Sequence, residues 1–139
     1  MKRRFSAVAA LVVAVGLAGC SSPPSALGTS DARVLINGKA TNALQPVTCT
    51  QTGTNWTIET LEEEPGFTAT IRLGDTLTPE SVTIRNMGNF TGTFWADNLG
   101  KAQARVSEGG FNVSGEAQGS FADKPNQTTT ASFDISADC

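Results

Sequence analysis

Along most of the chain, apolar and polar residues alternate one by one. In "NWTIE", Trp56 and Ile58 point one way while Asn55, Thr57 and Glu59 point the other. "TATIRL" sets Ala69, Ile71 and Leu73 against Thr68, Thr70 and Arg72, and "SVTIR" sets Val82 and Ile84 against Ser81, Thr83 and Arg85. "FNVSGEAQ" gives Phe111, Val113 and Ala117 one face, and "ASFDIS" does the same for Ala131, Phe133 and Ile135. A period of two is the repeat of a β-strand with one dry and one wet face, which belongs in an antiparallel sheet. Turn chemistry separates the runs: Asn37-Gly38, Pro65-Gly66, Gly74-Asp75, Thr78-Pro79, Met87-Gly88-Asn89, Gly109-Gly110 and Lys124-Pro125-Asn126. Adding "RVLI", "PVTCT" and "FTGTFW", the pattern predicts about eight or nine short strands. Two layers packed face to face are the simplest way to bury their inner faces, so the expected fold is an all-β antiparallel sandwich. "TLEEEP" and "GKAQARVSE" each have room for a helical turn; the second is read as a strand. Phe94 and Trp95 are neighbours and must face opposite sides of any strand. One of them therefore lies under a loop, the favoured reading, or at the surface, where an exposed aromatic would mark a ligand or partner site.

The first thirty residues break this pattern. Met1-Lys2-Arg3-Arg4 is basic, and residues 5–16 form an apolar run of mostly Ala, Val and Leu. That run is shorter than the roughly 20 residues a permanent transmembrane helix needs, so residues 1–19 read as a signal peptide. The Arg pair also fits twin-arginine export, but an ordinary positive leader is the favoured reading, since a lone Arg pair is common. The run ends on Leu17-Ala18-Gly19-Cys20. These four residues resemble the bacterial lipobox, L-[AS]-[GA]-C, at every position. That resemblance implies cleavage between Gly19 and Cys20, S-diacylglycerol on the Cys20 thiol and an acyl chain on its new amine. One acyl chain holds a protein only marginally at a membrane, whereas two or more hold it stably. Residues 20–30, "CSSPPSALGTS", then form a lipidated cysteine and a flexible Ser/Pro/Gly tether, and residues 31–139 form the β-domain.

Composition narrows the chemistry. The chain of 139 residues has no His and no Tyr, which removes the usual neutral-pH acid/base and the commonest metal ligand. Without residues 1–19 the seven remaining cations face thirteen acids, a side-chain net charge of −6. Nucleic acid and anionic head groups repel such a domain, so membrane contact is expected through lipid rather than a basic face. Three cysteines are present, Cys20, Cys49 and Cys139. An odd count in an exported protein suggests a spare thiol. Lipidation of Cys20 resolves it, leaving Cys49 and Cys139 to form one disulfide.

"VLINGKATNALQPVTC", residues 34–49, is similar to the opening of the mycobacterial 19 kDa lipoprotein antigen family, the LpqH-like proteins. The Gly-rich "NMGNFTGTFW" and the closing "SFDISADC" resemble it too. The resemblance implies a surface antigen whose acylated N-terminus is an agonist of the host Toll-like receptor 2. Two features depart from the family pattern. The tether lacks a Thr-rich tract, which counts against O-glycosylation, and "LEEEPG" is unusually acidic.

The remaining candidates have plain readings. Glu59, Glu62, Glu63 and Glu64 lack the Asp-x-Asp-x-Asp-Gly spacing of a calcium loop and read as a solvated hairpin tip. Sequons at Asn55, Asn89, Asn112 and Asn126 fit a eukaryotic secretory route, which a bacterial lipobox argues against. No Gly-x-Ser-x-Gly, phosphate loop or metal-spaced Cys pair occurs, so neither an enzyme nor a cofactor is expected. Two alternatives to the antigen reading remain: a lipid or small-ligand carrier with a cavity between its layers, and an adhesin or scaffold that uses its outer faces.

Overall fold

The alternating stretches become strands wherever both of their faces have somewhere to go. A computed structural model describes residues 30–41 and 44–139. The strands are β1 (Ser30–Ile36), β2 (Lys39–Ala40), β3 (Gln45–Thr52), β4 (Asn55–Thr60), β5 (Gly66–Arg72), β6 (Thr78–Met87), β7 (Phe90–Trp95), β8 (Lys101–Ser107), β9 (Gly110–Phe121) and β10 (Thr129–Asp138). All pair antiparallel within one sheet, in the order β10-β1-β3-β4-β5-β6-β7-β9-β8, with β2 on β1. The all-β antiparallel architecture is the one that the alternation predicts, and "GKAQARVSE" is indeed a strand, β8. Among the described residues there are ten strands rather than eight or nine because a two-residue strand, β2, is also present. "TLEEEP" carries no helical turn: after Thr60 the backbone bends through residues 61–65.

Hydrogen bonding is continuous around the molecule. β10 pairs β9 from Thr129↔Gly119 to Asp138↔Gly110, which joins the two halves into a closed circuit. The facing layers thus belong to one sheet closed on itself, an arrangement that leaves few strand edges open. The seam between β1 and β3 is the shortest part of the circuit. β1 pairs β10 from Ala32 to Ile36, but pairs β3 only from Ser30 to Ala32. Tight turns set the register elsewhere. In Asn37-Gly38 both residues have positive φ (51° and 78°), as a two-residue hairpin of matching twist requires.

The dry faces meet in one core. Ile58, Phe67, Ile71, Val82, Ile84, Met87, Phe90, Val113 and Ile135 are fully buried. Phe90 packs on Phe121 with ring centroids 5.1 Å apart, and Trp56 on Phe111 at 5.5 Å, both tilted pairs. These edge-biased geometries add to the stabilisation that burial alone provides. Leu73 falls outside β5 and is only half-buried, because the strand ends at Arg72.

One polar side chain, Thr60, lies within the apolar interior. Its hydroxyl accepts from the Phe67 N–H at 3.1 Å and donates to the Glu62 carbonyl at 2.6 Å. It thereby fastens the acidic 61–65 bend to the sheet. Thr60→Val keeps the shape but leaves both backbone groups without that partner. The expected cost is about 1–3 kcal/mol, read as a lower urea midpoint with an unchanged slope.

Candidate functional site

Antiparallel pairing sorts the loops between two ends. Ser30, the turns at 53–54 and 108–109, the 73–77 segment and Cys139 share one end. The turns at 37–38 and 88–89, the 61–65 bend and the 122–128 loop share the other. The tether therefore enters at the end where the C-terminus finishes. Gly19 and Cys20 lie outside the described residues.

At this entry end Cys49 of β3 is bonded to Cys139, with Cα atoms 5.9 Å apart and a separation of 90 positions in sequence. The bond spans the short β1–β3 seam, from β3 to the end of β10. The Cys139 N–H also donates to the Gly109 carbonyl at 2.9 Å, so the last residue is held at two points.

The other sequence candidates are spread apart. Glu62, Glu63 and Glu64 are exposed at the far end, and Arg85 Nε donates to the Glu63 carbonyl at 2.6 Å rather than to a carboxylate. Among the described residues, no three His, Cys, Asp or Glu side chains lie close enough together to hold a metal ion. Asn89 is a turn residue with φ 62° and Asn126 lies exposed in the 122–128 loop. Asn112 is tied into the outer face of β9, where its amide donates to Asp134 at 2.8 Å and to Ser136 at 3.0 Å.

The structure decides the Phe94–Trp95 pair. Phe94 is in the core, and Trp95 is 59% exposed. Beyond Thr93 the β7–β9 ladder stops, and β8 takes over the same edge of β9 from Lys101↔Glu116 onward. The intervening residues 96–100 form a tight loop beside a cleft of about 610 Å³. Trp95, Arg72, Thr78, Glu80, Asp97 and Lys101 are among its lining residues. Arg72 pairs with Glu80 at 3.2 Å, and Lys101 with Glu116 at 3.7 Å. Of this group only Trp95 had a signal in the sequence, its adjacency to Phe94. Arg72, Glu80, Asp97 and Lys101 come from separate elements, and no local motif links them.

Comparison with known proteins bears on the whole chain. The family model described as "Mycobacterium 19 kDa lipoprotein antigen" matches residues 25–139. The chain belongs to this family. It is 34% identical over 131 residues to a Mycobacterium tuberculosis protein named as lipoprotein LppE, covering 94% of this chain and 92% of that one. A protein named as a lipoprotein in Mycobacterium avium subsp. hominissuis is 34% identical over 141 residues, covering 100% of this chain and 97% of its own. One from Mycobacterium indicus pranii is 31% identical over 140 residues, across the full length of both chains. Membership in the 19 kDa lipoprotein antigen family makes this a lipoprotein and, by family, a membrane-associated envelope protein.

Proposed function

We propose that the protein is held at the outer side of the cell membrane by acyl chains on Cys20 and displays its β-domain as a surface antigen. On this reading the acylated N-terminus is the part that Toll-like receptor 2 recognises, and the domain performs no catalysis. The observation that carries the reading is the cysteine pairing. The Cys49–Cys139 bond accounts for two of the three cysteines, and the third stands at the fourth position of a complete lipobox. Family membership supports the same conclusion. The filled interior, with Phe67, Phe90 and Met87 fully buried among the strands, favours this reading over a carrier that keeps lipid between its layers.

Intact-mass measurement of the protein from its own host is the test. The expected species begins at residue 20, is two hydrogen atoms lighter than its fully reduced polypeptide, and carries diacylglycerol plus an N-linked acyl group. A chain that starts elsewhere and keeps an unmodified thiol at Cys20 would overturn the proposal.

A further inference from the structure

Trp95 is an exposed aromatic with no part in the core, yet its backbone is firmly held. Its N–H donates to the Leu99 carbonyl at 2.8 Å, and its own carbonyl accepts from the Asn98 and Leu99 N–H groups at 3.0 and 2.9 Å. The next residue is tied to β6, since the Ala96 N–H donates to the Glu80 carbonyl at 2.9 Å. Gly100, with φ 69°, lies against the Glu116 backbone so closely that a Cβ would collide with its carbonyl oxygen, which keeps the start of β8 tight on β9. The loop therefore presents the indole on a fixed support, so little ordering cost remains for a ligand to meet.

The lining restricts what such a ligand is. Arg72 and Lys101 contribute two positive charges, and Glu80 and Asp97 two negative ones. An anion would face the carboxylates, and a cation the guanidinium and ammonium groups. An acyl chain or bilayer would have to strip water from four charged groups at once, a large cost without compensating hydrogen bonds. A neutral molecule with an apolar face and a rim of hydroxyls meets every requirement. Its C–H face stacks on the indole, its hydroxyls donate to Glu80 and Asp97, and its oxygens accept from Arg72, Lys101 and the Thr78 hydroxyl. A sugar ring has this form. The cleft volume also lies within the range of small-ligand sites.

We infer that the cleft beside Trp95 is a binding site for a neutral saccharide, with the indole as stacking platform and Arg72, Glu80, Asp97 and Lys101 as hydroxyl partners. This site stands apart from the acyl anchor, and its function does not depend on modification of Cys20. It gives the domain a ligand of its own: an uncharged glycan, met part-way along the edge of β9 that β7 and β8 share.

The test is titration of the detergent-solubilised, isotope-labelled protein with neutral hexasaccharides of glucose, galactose, mannose and arabinose, covering pyranose and furanose rings. Backbone amide shifts are the readout. At least one sugar is expected to move Arg72, Thr78, Glu80 and residues 95–102 at millimolar concentration. Trp95→Ala should weaken that sugar by about tenfold or more, the loss expected for a central aromatic contact. Trp95→Phe should keep most of the affinity, and Glu80→Gln should weaken binding without touching the indole. Unchanged amides elsewhere show that each variant is folded. Silence across all four sugars, or binding indifferent to Trp95→Ala, would overturn the proposal. So would anionic phospholipid vesicles perturbing these same amides while sugars do not, an outcome that assigns the face to the membrane.

Discussion

Replacing Cys20 with Ser is expected to abolish signalling through Toll-like receptor 2 and, once the leader is also removed, to move the protein from the detergent phase to the aqueous phase. The lipid provides the holding energy, about 0.8 kcal/mol for each buried CH₂, so a diacylglycerol with a further acyl chain secures the protein and no chain leaves it free. The domain offers no electrostatic substitute, because its net charge of −6 is repelled by anionic head groups. The single substitution also blocks cleavage and retains the apolar leader. A second form, with a plain A-x-A leader replacing residues 1–19 and Ser at position 20, removes that competing anchor. Both forms are measured by phase partition and in receptor reporter cells. Undiminished signalling by the lipid-free form would place the activity in the β-domain instead.

The second large effect is expected at the bridge. Cys139→Ser opens a loop of about ninety residues, and the chain-entropy relation assigns such a loop roughly 4.5 kcal/mol. The topology says where this loss appears. β3 and β1 pair only between Ser30–Ala32 and Gln45–Val47, so without the bond the circuit closes there on a short ladder. Amide exchange is expected to accelerate first in β1 and in Cys49–Thr52 of β3, while β5 and β6 keep their protection. Cys49→Ser and the double variant should match Cys139→Ser in urea midpoint, because each removes the same bond. A loss below about 1 kcal/mol would mean that the seam is held by its ladder and packing alone.

Much of this architecture is legible in the alternation. Ile58 faces the interior, as do Val82 with Ile84 and Phe133 with Ile135, and Trp56 lies half-buried against Phe111. The Asn37-Gly38 and Gly88-Asn89 turns fall where their left-handed preferences put them. What local pattern does not carry is pairing between distant strands. Nothing in "ASFDIS" says that β10 lies between β1 and β9, so the closure of two layers into one sheet emerges only in three dimensions. The Trp95 cleft is hidden for the same reason: it exists because β7 and β8 divide one edge of β9, a fact of register rather than of composition. Adjacency showed that Phe94 and Trp95 must part company, but which of them turns inward depends on the partners β7 acquires. "TLEEEP" was ambiguous because its acids suit a first helical turn as well as a bend. The buried Thr60 hydroxyl, bonded to Phe67 and Glu62, settles it as a bend.

The placement of Ser30 and Cys139 at one end of the sheet has a practical side. A label fused after Cys139 therefore stands at the same end of the sheet as Ser30, where the tether enters. The 122–128 loop, with Asp123, Lys124, Asn126 and Gln127 all exposed, stands at the crown. That loop and the acidic 61–65 bend lie at the end of the sheet away from Cys139, so a reporter inserted there leaves the Cys49–Cys139 bond and the tether's entry untouched.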